Sequence, residues 1–124
     1  MDRRELRPKL PSELLGGGQT EAEQFQNEVL RPIIKLQSDL LLAHLHAKLA
    51  AMKVVFTDLD AAKQQHTLTN LFSKDQAFKR KVIGMVIGHF TLEEYQRYDP
   101  MQKEINRRIV QIVLNRCVDL LVEN

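Results

Sequence analysis

The sequence predicts an all-α fold, a compact bundle of about five helices with a long first helix kinked at a proline and a long C-terminal helix. Three observations carry that expectation. Apolar residues recur at helical spacing from Ile34 to Met52 and again from Ile105 to Leu121. One form of helix joint appears three times: Phe56-Thr57-x-x-Asp60, Phe72-Ser73-x-x-Gln76 and Phe90-Thr91-x-x-Glu94. Each offers a Ser or Thr cap with a polar partner three residues on. Nothing in the chain reads as a strand.

Residues 1–19 hold Pro8, Pro11 and Gly16–Gly18 without periodicity, which reads as a flexible N-terminal arm ahead of a single helical domain, 20–124. Thr20 and Glu23 have capping-box spacing and open the first helix near Glu21. Pro32 lacks an amide hydrogen and crowds the preceding turn, so the helix should kink or restart there before running to about Val54. The three joints then start helices two to four, with Thr57, Ser73 and Thr91 as caps and Phe90 folding over Tyr95. Asp99-Pro100 supplies a cap and a first-turn proline for the last helix, Pro100 toward Val122.

The helix after Pro32 has two apolar sectors. Leu36, Leu40, Ala43, Ala47 and Ala51 form one; Ile34, Leu41, Leu45, Leu49 and Met52 form the other. The last helix is also wider than a surface helix needs, because Val110, Leu114, Cys117 and Leu121 extend the face of Ile105, Ile109, Ile112, Val113 and Leu120. A small domain has few partners for so much apolar surface, and a homodimer is the economical reading, with Val110, Leu114, Cys117 and Leu121 as the expected contact. In helix three, Ala77, Gly84 and Gly88 make a small-residue stripe read as close packing against another helix.

A chain of 124 residues with a formal net charge of +2 suits one domain with one core. The single cysteine, Cys117, excludes an internal disulfide and a cysteine zinc site and points to a reducing compartment. No apolar stretch of roughly 7–15 residues follows the basic N-terminus as a secretory signal requires, and no apolar run approaches a membrane span. The expectation is a cytoplasmic protein without membrane contact, metal or cofactor.

Candidate chemistry is sparse. His44 and His46 point apart on a helix, and no Glu-x-x-His or His-Glu-x-x-His spacing occurs with His66 or His89. Cys117 sits among apolar residues that favour the inert thiol, and neither a nucleophile-elbow nor a phosphate-loop motif is present. Lys74, Lys79, Arg80, Lys81, Arg97, Lys103, Arg107 and Arg108 form a basic stretch that carries the nucleic-acid alternative. A helix-turn-helix over it fits poorly, since core positions would fall on Glu94 and Arg97. Arg116 projects into an apolar sector and needs a partner, for which Glu28 and Asp39 are the candidate acids. If Arg116, His44 and His89 opened into one pocket, a small anionic ligand would fit it.

Two segments, VLRPIIKLQSDLL (29–41) and KRKVIGMVIGHFTLEEYQRY (79–98), with EINRRIVQIV downstream, resemble a group of small all-helical bacterial proteins having no established activity. Such proteins are sometimes labelled glyoxalase, but that label implies a β-rich metal site which an all-helical chain does not supply. The resemblance implies a bacterial cytoplasmic helical protein and carries over no functional residue. The leading functional expectation is a non-enzymatic homodimeric interaction module with room for a protein partner, ahead of nucleic-acid binding and of an enzyme or anion binder built around Arg116.

Overall fold

The computed structural model describes residues 2–8 and 20–122, and among them every regular element is helical. The long first helix runs in pieces: α1 (Glu21–Phe25), a π-helical stretch (Gln26–Leu30), α2 (Arg31–Leu36) and α3 (Ser38–Ala51). Then come α4 (Ala61–Lys74), α5 (Gln76–Ile87), α6 (Leu92–Tyr98) and α7 (Gln102–Leu121). Short 3-10 turns occupy Arg3–Leu6, Phe56–Asp58 and Asp99–Met101.

Pro32 interrupts the first helix as expected. Arg31 N–H donates to Gln26 O five residues back, and this widened turn directly precedes the proline. A second break follows at Gln37, whose φ of −92° and ψ of 7° leave the helical region. Next to it, the Ser38 hydroxyl donates to Ile34 O at 3.0 Å, a back-bond that bends helices.

Local caps fall only partly where the joints place them. Thr20 accepts from Glu23 N, and Thr91 and Glu94 complete a reciprocal capping box. At the other two joints Asp60 and Asp75 displace Thr57 and Ser73: they accept from Lys63 N at 2.8 Å and Phe78 N at 2.9 Å. An aspartate that can reach the third amide lies three or two residues later, so Thr57 falls in a 3-10 turn and Ser73 in the last turn of α4. Asp99-Pro100 likewise opens no α-helix; it forms the 3-10 turn joining α6 to α7, with the Asp99 carboxylate accepting from the Gln102 side chain.

The α3 C-terminus carries a signal that reading for glycine misses. Val54 N donates to Leu49 O and Lys53 N to Ala50 O, the paired bonds of a Schellman motif, with Lys53 at φ 60° where glycine usually sits. The expected extension to Val54 therefore ends three residues early, at Ala51.

α7 is the central element, touching the π stretch, α2, α4 and α5. Ile105, Ile109, Val113 and Cys117 are its buried side, meeting a core that includes Phe25, Leu30, Ile33, Leu45, Leu68 and Val86. Phe90 packs edge-on against Phe25 and Tyr98, with ring centroids 5.5 Å apart in each case, instead of stapling over the exposed Tyr95. The glycine stripe is not a packing seam. Ala77, Gly84 and Gly88 are exposed, and a methyl added at Gly84 would meet no atom within 4 Å.

The described part of the N-terminal arm is bound to the domain. Asp2 caps the Arg3–Leu6 turn by accepting from Arg4 N, and Arg3 and Arg7 reach the α5–α6 corner. Residues 9–19, including the triple glycine, lie outside the described residues.

Candidate functional site

The two apolar sectors of α3 meet opposite fates. Leu41, Leu45 and Leu49 are buried in the core beside Ile34, whereas Leu40, Ala43, Ala47 and Ala51 point into water together with Ala50. At about 100° per residue these five side chains occupy one side of the helix, opposite the buried leucines, over three turns without a charge. Leu40 is 57% exposed. Hydrocarbon lined up this way is what association surfaces present.

Polar groups border this face. Asp39 and His46 flank one side; His44 and Lys48 flank the other. Lys48 pairs with Asp75 at 2.8 Å, and its hydrogen bond is the main reason the Asp75 carboxyl lies below its ordinary range. His44 stacks on Phe78 at 4.6 Å between ring centroids, and its Nε2 is buried without a hydrogen-bond partner. Burial first, then the Lys81 charge, pushes its pKa below the usual histidine value.

Two open clefts lie at the α3–α4 corner. The larger, about 950 Å³, is lined by His46, Lys53, Phe56, Asp60 and Gln64 among others. The second, about 700 Å³, is lined by Lys48, Met52, His66, Asn70 and Lys74, with Val54 shared between the two. Neither includes Arg116, His44 or His89.

Those three residues have separate surroundings. Arg116 is half-buried, and its Nε donates at 2.8 Å to the Ser38 hydroxyl, neither candidate acid being its partner. His44 lies against α5, and His89 follows α5, its backbone carbonyl accepting from Arg7 at 2.6 Å. The anion pocket expected from their convergence is not formed at either cleft.

The expected dimer contact divides. Cys117 is 2% exposed in the core, where burial pushes its thiol up to about 11, so it is no interface residue and no nucleophile at neutral pH. Val110, Leu114 and Leu121 are half-buried and packed against the core, because α4 and α5 lie over α7. The basic stretch is also partly spent. Arg97 pairs with Glu21 and Glu28 and lies over the Phe25 ring, while Arg107 and Arg108 pair with Glu104. Lys79 donates to Ser73 O, and Lys74, Arg80, Lys81 and Lys103 are exposed without an acidic partner among the described residues.

The feature sequence reasoning missed is the α5–α6 corner. Arg7 grips Glu94 with both fork nitrogens, at 2.7 and 2.8 Å, and both side chains are only 5% exposed. Burial alone would raise the Glu94 pKa; hydrogen bonds from Arg7 and from the Thr91 amide outweigh it and hold the carboxyl below its ordinary value. Opposite charge at the two ends of an 87-residue separation was the only sequence signal, and it selects no pair by itself.

No family model, curated protein or solved structure matches this chain. Among the described residues no three His, Cys, Asp or Glu side chains are grouped to hold a metal ion, and no helix is long and apolar enough to cross a membrane.

Proposed function

We propose that the chain is a non-enzymatic interaction module that pairs with a second copy of itself through the outward side of α3. The observation that carries this reading is the uncharged Leu40–Ala43–Ala47–Ala50–Ala51 face, exposed along the whole helix. Small side chains let two helices approach closely. An antiparallel pair with its two-fold axis between Ala43 and Ala47 lays Leu40 of each copy over Ala50 and Ala51 of the other. It also brings the acidic Asp39 end of one helix toward the basic Lys53 end of its partner.

Magnitude sets the strength. Burying a leucine contributes about 1.5–3 kcal/mol and an alanine far less, and one helix face falls short of the roughly 1,200 Å² of a standard stable interface. The pair is accordingly a weak one, populated at high micromolar concentration. Light scattering tests it: the unsubstituted chain should approach twice the monomer mass as concentration rises, and Leu40→Glu with Ala47→Glu should stay monomeric with unchanged helical circular dichroism. Concentration-independent monomer mass for the unsubstituted chain sinks the reading.

Nucleic-acid binding is the second reading, favoured by Lys74 at the end of α4 and Arg80 and Lys81 on α5, exposed without an acidic partner among the described residues. Three phosphate contacts on random duplex would give a slope of roughly −3 for log K against log salt. A flat salt dependence removes it.

A further inference from the structure

The α5–α6 corner presents converging acceptors. His89 O and Phe90 O emerge where α5 ends, and the Glu94 carboxylate faces them from the first turn of α6. Part of this arrangement is held by the corner itself. Glu94 is held by its own capping box, accepting from Thr91 N at 2.9 Å while its amide donates to Thr91 Oγ1 at 3.1 Å. Arg7 supplies two donors to the carboxylate and one to His89 O at 2.6 Å; Arg3, four residues earlier, donates to Phe90 O at 2.6 Å. A planar guanidinium fork matches this arrangement, and a lysine ammonium, a point charge, does not.

Among the described residues, every side-chain bond from this segment to the rest of the domain comes from an arginine, Arg4 adding a 3.6 Å pair with Glu93. Its 3-10 turn contributes no buried residue, and Leu6, its one large apolar side chain, is 54% exposed. Ordinary core segments are held by buried hydrocarbon; this one is held as a docked peptide is.

We infer that the α5–α6 corner is a binding site for arginine-bearing peptide segments with Arg-x-x-x-Arg spacing, and that the chain's own N-terminus is its resident occupant. The partner it fits is another protein presenting such a segment on an exposed stretch. The resident arginines compete in cis with any incoming segment. An incoming segment therefore binds only when its contacts are better or when it is held nearby, and the N-terminus acts as a built-in selectivity filter.

The test uses the full chain with Arg3→Ala and Arg7→Ala, which vacates the corner, and a fluorescein-labelled peptide of residues 1–8, followed by anisotropy. The vacated chain should bind the peptide saturably. Binding should weaken at least about tenfold when the peptide carries Arg7→Lys, when the receptor is the unsubstituted chain, and when the vacated chain also carries Glu94→Gln, which keeps the capping box. No binding by a vacated chain of native circular dichroism overturns the proposal, as does binding indifferent to Glu94→Gln or to Arg7→Lys. If the double substitution does not fold, the Arg7→Lys full chain becomes the receptor. The peptide must then raise its melting temperature, and no rise overturns the proposal.

Discussion

The outward side of α3 and the α5–α6 corner break the usual surface rule in opposite directions. One leaves hydrocarbon in water, at Leu40 and its alanines; the other removes a guanidinium and a carboxylate from water. The first has no partner among the described residues and invites one. The second is saturated, apart from the buried Arg7 Nε, and holds the N-terminus in place. An exposed apolar face costs the monomer little, whereas a buried charge is costly as soon as its partner is lost. Substitutions should therefore be strongly destabilising at the corner and nearly neutral for folding on the outer side of α3.

The largest effect is expected at the corner. Glu94→Ala removes both the capping box and the Arg7 partner. Breaking a buried pair costs about 3–5 kcal/mol, and because Arg7 can swing into water once released, urea denaturation should show a loss near the lower end. Arg7→Met with Glu94→Leu should recover most of it, since no charge is then stranded. Equal losses in the single and double variants would mean that the pair is not buried in solution.

Acid sharpens the contrast through two groups. His44 has a depressed folded pKa, so its neutral form contributes stability that is complete above the unfolded value of 6.5 and is lost as pH falls below it. Glu94, also depressed, contributes stability present above 4.5 and lost as pH falls through its lower folded value. His44→Phe keeps a ring against Phe78 and should flatten the urea midpoint between neutral pH and pH 5, leaving the acid-side loss in place. An unchanged slope would show that His44 is solvated.

Smaller effects test the backbone. Lys53→Gly relieves a left-handed lysine and should stabilise by about 1 kcal/mol. Gly84→Ala places a methyl in open space within a helix and should gain just under that, about 0.8 kcal/mol. Thermal or urea unfolding reads both. A loss at Gly84 would place the α5 stripe against something in solution.

What was legible in the sequence was local or periodic. Thr20, Thr91 and Pro32 act within one turn of their own positions, and the two sectors of α3 follow from helical spacing alone. Where two caps compete, as with Thr57 against Asp60 and Ser73 against Asp75, periodicity does not rank them. The small residues of α5 permit close packing without requiring it, so their spacing does not fix a seam at Gly84 and Gly88, which are exposed. Charge complementarity points Arg116 to acids, whereas its Nε reaches the hydroxyl of Ser38, beside the break at Gln37. The Arg7–Glu94 pair depends on the chain returning to the α5–α6 corner, which no local pattern encodes.

In the proposed dimer α3 meets a second α3 through its alanine side. Cysteines at Ala43 and Ala47 test it most directly, because the antiparallel pair sets each opposite the other, while the native Cys117 is buried and gives little background. Under mild oxidation at high micromolar concentration, Ala43→Cys with Ala47→Cys should give a covalent dimer, lost when Leu40→Glu is added. A chain that stays monomeric under those conditions, or one that crosslinks equally well with Leu40→Glu in place, would contradict it.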